Sequence, residues 1–221
     1  MNFNIAEKFI SINGEGVLAG QLAVFIRFCG CNLECSYCDT RWANTMKPPV
    51  EVLDEHQIYR YIKETGIKNV TLTGGEPLIQ EEISVLLEKL ASDQSLRVEI
   101  ETNGSIPVVQ FFSIENRPSF TIDYKLPGSG MEHEMYMLNF RHADMNDTVK
   151  FVVSDEADLA KAKQVIEKFE LQGRTNIYIS PVFGKIQPEA LVDFLKENKL
   201  NNVNMQLQLH KIIWDPDKKG V

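Results

Sequence analysis

Short runs rich in β-branched and apolar residues, at 23–28, 69–73, 97–102, 120–125, 148–153, 176–181 and 203–210, alternate with segments of helical periodicity at 55–65, 81–92, 156–170 and 188–198. A mostly parallel sheet with helices packed outside it satisfies that alternation, and the acidic openings of some helical segments suit the helix dipole. The stretches 107–117 and 127–142 are less regular, so the helices are too few for a closed eight-fold barrel. The expected fold is therefore α/β: an incomplete, open β/α barrel with a reduced helix complement and its active site at the C-terminal ends of the strands. With 221 residues and 43% hydrophobic content, residues 1–221 can bury one sizeable core and require no second domain.

Cysteine usage sets the chemistry. Cys31, Cys35 and Cys38 follow the spacing CxxxCxxC on one short loop, and three thiolates can hold an iron-sulfur cluster while leaving one iron for a non-protein ligand. A structural zinc site is the alternative, although zinc modules usually split their ligands into two separated pairs, and buried apolar thiols are another. Cys29 ends the alternating run 23–29 and reads as a packed strand residue. Disulfides are not expected, because the N-terminus lacks a basic segment followed by an apolar stretch that would direct export.

Acidic residues outnumber basic ones by 31 to 23, for a formal charge of -8, which argues against nucleic acid as a partner. No apolar stretch approaches the roughly 20 residues needed to cross a bilayer, so no membrane association and a cytoplasmic location are expected.

Several strand candidates end in polar or glycine-rich segments. In Val70-Thr-Leu-Thr-Gly-Gly-Glu-Pro77 the paired glycines let backbone approach a ligand, and Glu76 is able to accept hydrogen bonds from an ammonium group; an ordinary strand-to-helix turn reads equally well. The segments 99–104 and 121–125 also put polar groups at a barrel mouth. The run Met131-Glu-His-Glu-Met-Tyr-Met137 has the composition of a cofactor box but reads as a plain amphipathic helix. Arg27 is one of the few charges in an apolar strand, suited either to a substrate carboxylate or to a structural ion pair.

Taken together, CxxxCxxC followed by a strand ending in Gly-Gly-Glu-Pro resembles the radical S-adenosylmethionine (SAM) enzymes. Within them, Asn13-Gly-Glu-Gly16, Phe25-Ile-Arg27-Phe, Cys38-Asp-Thr40 and Leu207-Gln-Leu-His-Lys-Ile-Ile-Trp214 resemble the 7-carboxy-7-deazaguanine synthases of queuosine biosynthesis. Two departures stand out: the family often has Gln where this chain has Asn13, and many members lack a cysteine at position 29. The resemblance implies a partial β/α barrel of the radical SAM type, a cluster loop at 29–40 and a C-terminal segment at 207–221 that caps the substrate. It implies a 4Fe-4S cluster on Cys31, Cys35 and Cys38, SAM contacts from Tyr37, Thr73, Gly74, Gly75, Glu76, Thr102, Asn103 and Lys125, and Mg2+ on Thr40 rather than on the charged Asp39. Substrate contacts fall to Ile12, Asn13, Gly14, Glu15, Gly16, Arg27, Gln208, His210 and Val221.

The implied reaction begins when the reduced cluster gives an electron to SAM, releasing methionine and a 5'-deoxyadenosyl radical. That radical removes the C6 hydrogen of 6-carboxy-5,6,7,8-tetrahydropterin, the ring contracts, ammonia leaves and SAM is regenerated. A flavodoxin or ferredoxin as electron donor and a homodimer are implied as well. Two other readings compete: a glycyl-radical enzyme activase, which shares CxxxCxxC but docks a large polypeptide, and a noncatalytic zinc-binding interaction module. Cys-Asp-Thr and Gln-x-His favour the small-molecule synthase.

Overall fold

A computed structural model describes residues 2–44, 51–216 and 218–221; Asp217, within the expected cap, lies outside the described residues. Its strands are β1 (Phe3–Ile12), β2 (Leu22–Phe28), β3 (Glu51–Leu53), β4 (Asn69–Gly74), β5 (Arg97–Thr102), β6 (Ser119–Tyr124), β7 (Thr148–Val153), β8 (Asn176–Pro181) and β9 (Asn204–Met205). The helices are α1 (Glu55–Thr65), α2 (Ile83–Ala91), α3 (Leu138–His142), α4 (Glu156–Lys168), α5 (Pro188–Glu197) and α6 (Leu209–Ile213). One sheet runs β3-β1-β2-β4-β5-β6-β7-β8-β9, open at both edges. The hairpin β1–β2 and the pair β1–β3 are antiparallel; from β2 to β9 every pairing is parallel.

Period-two alternation divides the parallel strands into two faces. Ile26, Leu72, Ile100, Ile122, Phe151 and Ile179 are buried in one core with Ile58 and Ile62 of α1, Leu86 and Leu90 of α2 and Val165 of α4. Burial of each such side chain contributes about 1.5–3 kcal/mol. The intervening positions are polar, and the register aligns them across strands: Arg27 beside Thr73, Thr71 beside Glu99, Glu101 beside Thr121 and Asp123 beside Lys150. The outer face makes the core, and the inner face makes a polar concavity.

Helix α1 starts at a capping box, with Gln57 N donating to Asp54 at 2.7 Å and Asp54 N donating to Gln57 Oε1 at 2.8 Å, and it stops at Gly66 in the left-handed region. The expected strand over 203–210 is corrected. Only Asn204–Met205 pairs with β8, and the chain then turns into α6, because Leu209 N donates to Gly14 O, a partner outside the sheet. The expected helix over 131–137 is also corrected, to a single 3-10 turn at Glu132–Glu134. Tyr136 N there donates to Gly104 O instead of to its own preceding turn. Strands β1 and β3 were not expected; a register shift between Ile5 and Glu7 breaks the alternation that would have marked β1.

Candidate active site

The loop leaving β2 carries the three cysteines, and β4 ends directly beneath it. A Cβ on Gly75 would lie 2.0 Å from Gly30 O and 2.8 Å from Cys31 Cβ, so only glycine lets the two chains meet. Glu76 N then donates to Gly30 O at 2.8 Å, tying loop to strand. Donors surround the sulfurs: Leu33 N reaches Cys31 Sγ at 3.4 Å, Asn103 Nδ2 reaches it at 3.7 Å, and Asn44 Nδ2 reaches Cys38 Sγ at 3.7 Å. Burial pushes the Cys31 and Cys35 thiols up, and a bound metal centre would favour their thiolate form.

Cys31, Cys35 and Cys38 line one cavity of about 450 Å³ at the C-terminal ends of the strands. The fourth cysteine, Cys29, is buried elsewhere, with Ala6 and Ala43 against Trp42. Three thiols around a cavity that also holds SAM-sized space fit a cluster with one iron not ligated by the protein. Among the described residues no three His, Cys, Asp or Glu side chains are grouped as a single metal ion would need.

Tyr37, Thr73, Gly74, Gly75, Thr102, Asn103 and Lys125 all line this cavity. Glu76 does not. Its side chain is fully buried behind the wall, where Leu78 N (3.0 Å), Thr102 Oγ1 (2.8 Å) and Asn103 N (2.6 Å) donate to it. Burial raises its carboxyl to about 7 against the pull of those three donors. Its visible work is to hold Thr102 and Asn103 in place.

Ile12, Gly14, Glu15, Arg27, Gln208, His210 and Val221 line the same cavity, as does Thr40. Glu15 accepts from Lys150 Nζ at 2.7 Å, Ser180 Oγ at 2.9 Å and Gln208 Nε2 at 3.2 Å. Burial would raise the Glu15 carboxyl, but Lys150 and these hydrogen bonds hold it below its ordinary value. Arg27 Nε donates to Glu7 at 2.7 Å, so part of its guanidinium is spent on β1. Asn13 and Gly16 sit outside the lining. Asn13 Oδ1 accepts from Thr71 Oγ1 at 2.9 Å, and Gly16 is clamped through both its N and O by the Gln206 amide at 2.6 and 3.2 Å.

Sequence reasoning passed over Glu7, Glu101, Asp123, Lys150 and Gln206. Lys150 was within reach, since it is a lone charge in an apolar strand as Arg27 is. Lys125 Nζ donates to Asp123 Oδ2 at 2.7 Å, and Lys150 lies 4.0 Å from the other Asp123 oxygen. Opposite charges thus interleave along the cavity floor, and their attraction outweighs burial to hold both lysines charged.

A model of the Radical SAM superfamily matches residues 25–115. Over 221 residues the chain is 58% identical to the 7-carboxy-7-deazaguanine synthase of Clostridium acetobutylicum, covering 100% of both. It is 37% identical over 222 residues to the synthase of Chlorobaculum tepidum, covering 99% of this chain and 97% of that one. The crystal structure of QueE from Escherichia coli matches with a TM-score of 0.71 over 94% of each chain at 22% identity, a likeness of fold. Full-length identity of this degree agrees with a cysteine loop, a glycine-tipped strand and a charged floor facing one cavity, and the chain belongs to the 7-carboxy-7-deazaguanine synthase family of radical SAM enzymes.

Proposed function

We propose that this chain, acting as one radical SAM unit over 1–221, converts 6-carboxy-5,6,7,8-tetrahydropterin to 7-carboxy-7-deazaguanine with loss of ammonia. One observation carries the reading: a single cavity is lined both by three cysteines and by the charged side chains of Arg27, Glu15 and Lys150, the last two paired with each other. A small carboxylated bicycle with donor and acceptor edges suits those charged groups. When bound, cluster and SAM supply radical hydrogen abstraction.

The chain's own residues bind and orient. Arg27 is suited to the substrate carboxylate through the guanidinium nitrogens that Glu7 does not take. Glu15, kept ionised by Lys150, is an acceptor for the amino-pyrimidine edge, with Gln208 and His210 beside it. Thr73, Gly74, Gly75, Thr102, Asn103, Tyr37 and Lys125 are the SAM-side contacts, with Glu76 supporting them. Thr40 Oγ1 and substrate oxygens would hold Mg2+, a hard cation that prefers oxygen. Residues 207–221 cap the cavity, since Lys218, Lys219, Gly220 and Val221 line it, and a closed site keeps water from reactive intermediates.

Family resemblance supports a cytoplasmic homodimer reduced by a one-electron carrier such as flavodoxin or ferredoxin. Among the described residues no helix is long and apolar enough to cross a membrane. A cavity overlain by the chain's own tail gives no support to activation of a glycyl-radical polypeptide. The test is anaerobic reconstitution followed by incubation with SAM, a reductant and the carboxytetrahydropterin. The expected result is a brown protein with about four irons and a deazaguanine ultraviolet product; intact cluster without that product would remove the substrate assignment.

A further inference from the structure

Helix α6 begins at Leu209, shortly after Gln206, and the polar residues Gln208, His210 and Lys211 at its start reach two different parts of the site. Gln208 donates to Glu15, His210 packs its Nδ1 2.6 Å from where a Cβ on Gly14 would lie, and Lys211 Nζ meets Asp39 Oδ2 at 2.7 Å. The first two contacts bind α6 to the loop after β1. The third binds it to the cluster loop. Lys211 is largely buried, with 12% of its side chain exposed, while Asp39 is half exposed. A buried ammonium needs a partner, and Asp39 is the partner the structure gives it.

The second Asp39 oxygen is also occupied: Thr40 Oγ1 lies 2.9 Å from Asp39 Oδ1. An ionised carboxylate can only accept, so the Thr40 hydroxyl must donate to it, which leaves the hydroxyl's own lone pairs free to accept, and Thr40 lines the cavity. Were Lys211 absent, Asp39 would lose its ion pair at the cavity rim and keep the weaker hold of the Thr40 hydroxyl.

We propose that Lys211 is a positioning residue, a latch whose pairing with Asp39 registers α6, and with it Gln208 and His210, against the cluster loop while leaving the Thr40 hydroxyl free to accept at the cavity. This inference rests on the substrate reading above for its kinetic consequence, but its structural consequence stands apart from any activity.

Two measurements on the full chain separate those layers. In hydrogen exchange, Lys211→Met should speed the amides of 209–213 and of 38–44 by about tenfold, and Asp39→Asn should loosen the same two segments, since each partner is held by the other. In turnover, Lys211→Met should raise KM for the carboxytetrahydropterin about tenfold with kcat within about threefold and iron content unchanged, and Lys211→Arg should recover most of the loss. Wild-type exchange in α6 for both Lys211→Met and Asp39→Asn overturns the latch, as does a loss of kcat without a change in KM that Lys211→Arg fails to relieve. If exchange responds as expected while the wild-type protein makes no deazaguanine, the substrate reading falls and the latch remains.

Discussion

Glu99 and Glu101 stand two residues apart on the inner face of β5, so two carboxyl groups share one poorly solvated environment. Burial first, and then the charge of Glu101, raises Glu99 to about 7, although Thr121 donates a hydrogen bond to it. A carboxyl raised in the folded state binds its proton more tightly there than in the unfolded chain. The stability this confers is complete below about pH 4.5 and is lost as pH rises through 7, by at most about 3 kcal/mol. Glu99→Gln should therefore gain on the wild type between pH 5 and pH 8 in urea denaturation, and a difference independent of pH would show that Glu99 is not held protonated. A second residue-scale outcome concerns the thiols. Replacing Cys31, Cys35 or Cys38 with Ala should abolish iron binding, whereas Cys29→Ala, in its separate cluster with Ala6 and Ala43, should keep it; equal iron loss at position 29 would reassign the ligands.

At the scale of elements, the end of β4 and the start of α1 make a contrasting pair. Gly75→Ala puts a methyl 2.0 Å from the Gly30 carbonyl oxygen, and neither backbone can yield without moving the cysteine loop. That variant should retain its far-ultraviolet helix signal yet lose most of its iron. Asp54→Ala removes one side of the α1 capping box and should lower stability by about 1 kcal/mol while leaving iron content unchanged. If the two variants behaved alike in iron content, the close approach of β4 would not be what shapes the loop.

Across the whole molecule, chain ends distant in sequence complete the site. The loop after β1 supplies Gly14 and Glu15, the C-terminal segment supplies Gln206, Gln208 and His210, and Gln206 clamps Gly16 across 190 residues of sequence. Pro216, Lys218, Lys219, Gly220 and Val221 beyond α6 line the cavity, with Lys219 Nζ 4.2 Å from the centre of the Trp42 ring, a contact worth about 0.5–1 kcal/mol at an exposed site. Removing residues 218–221 should raise KM for substrate severalfold without reducing iron content, and unchanged kinetics would return the tail to solvent.

Sequence alone determined the kind of fold and the family, because both rest on local spacing. Alternating apolar runs and amphipathic segments specify parallel strands with outer helices, CxxxCxxC specifies three thiols on one loop, and Gly74-Gly75 marks where backbones must approach. Tertiary structure decided what local patterns do not encode. Strand β1 was hidden by its bulge, and 131–137 found its hydrogen bonds on the loop at Gly104 instead of in a helix. Residues 207–213 left the sheet because the N-terminal loop offered partners, Gly14 O to Leu209 N and Gly16 to the Gln206 side chain. The side chain of Glu76 was turned inward to serve Thr102 and Asn103, and Lys150 gained its meaning only beside Glu15 and Asp123. Each of these depends on a partner far away in sequence, and the energy of a buried polar group is set by the partner it meets.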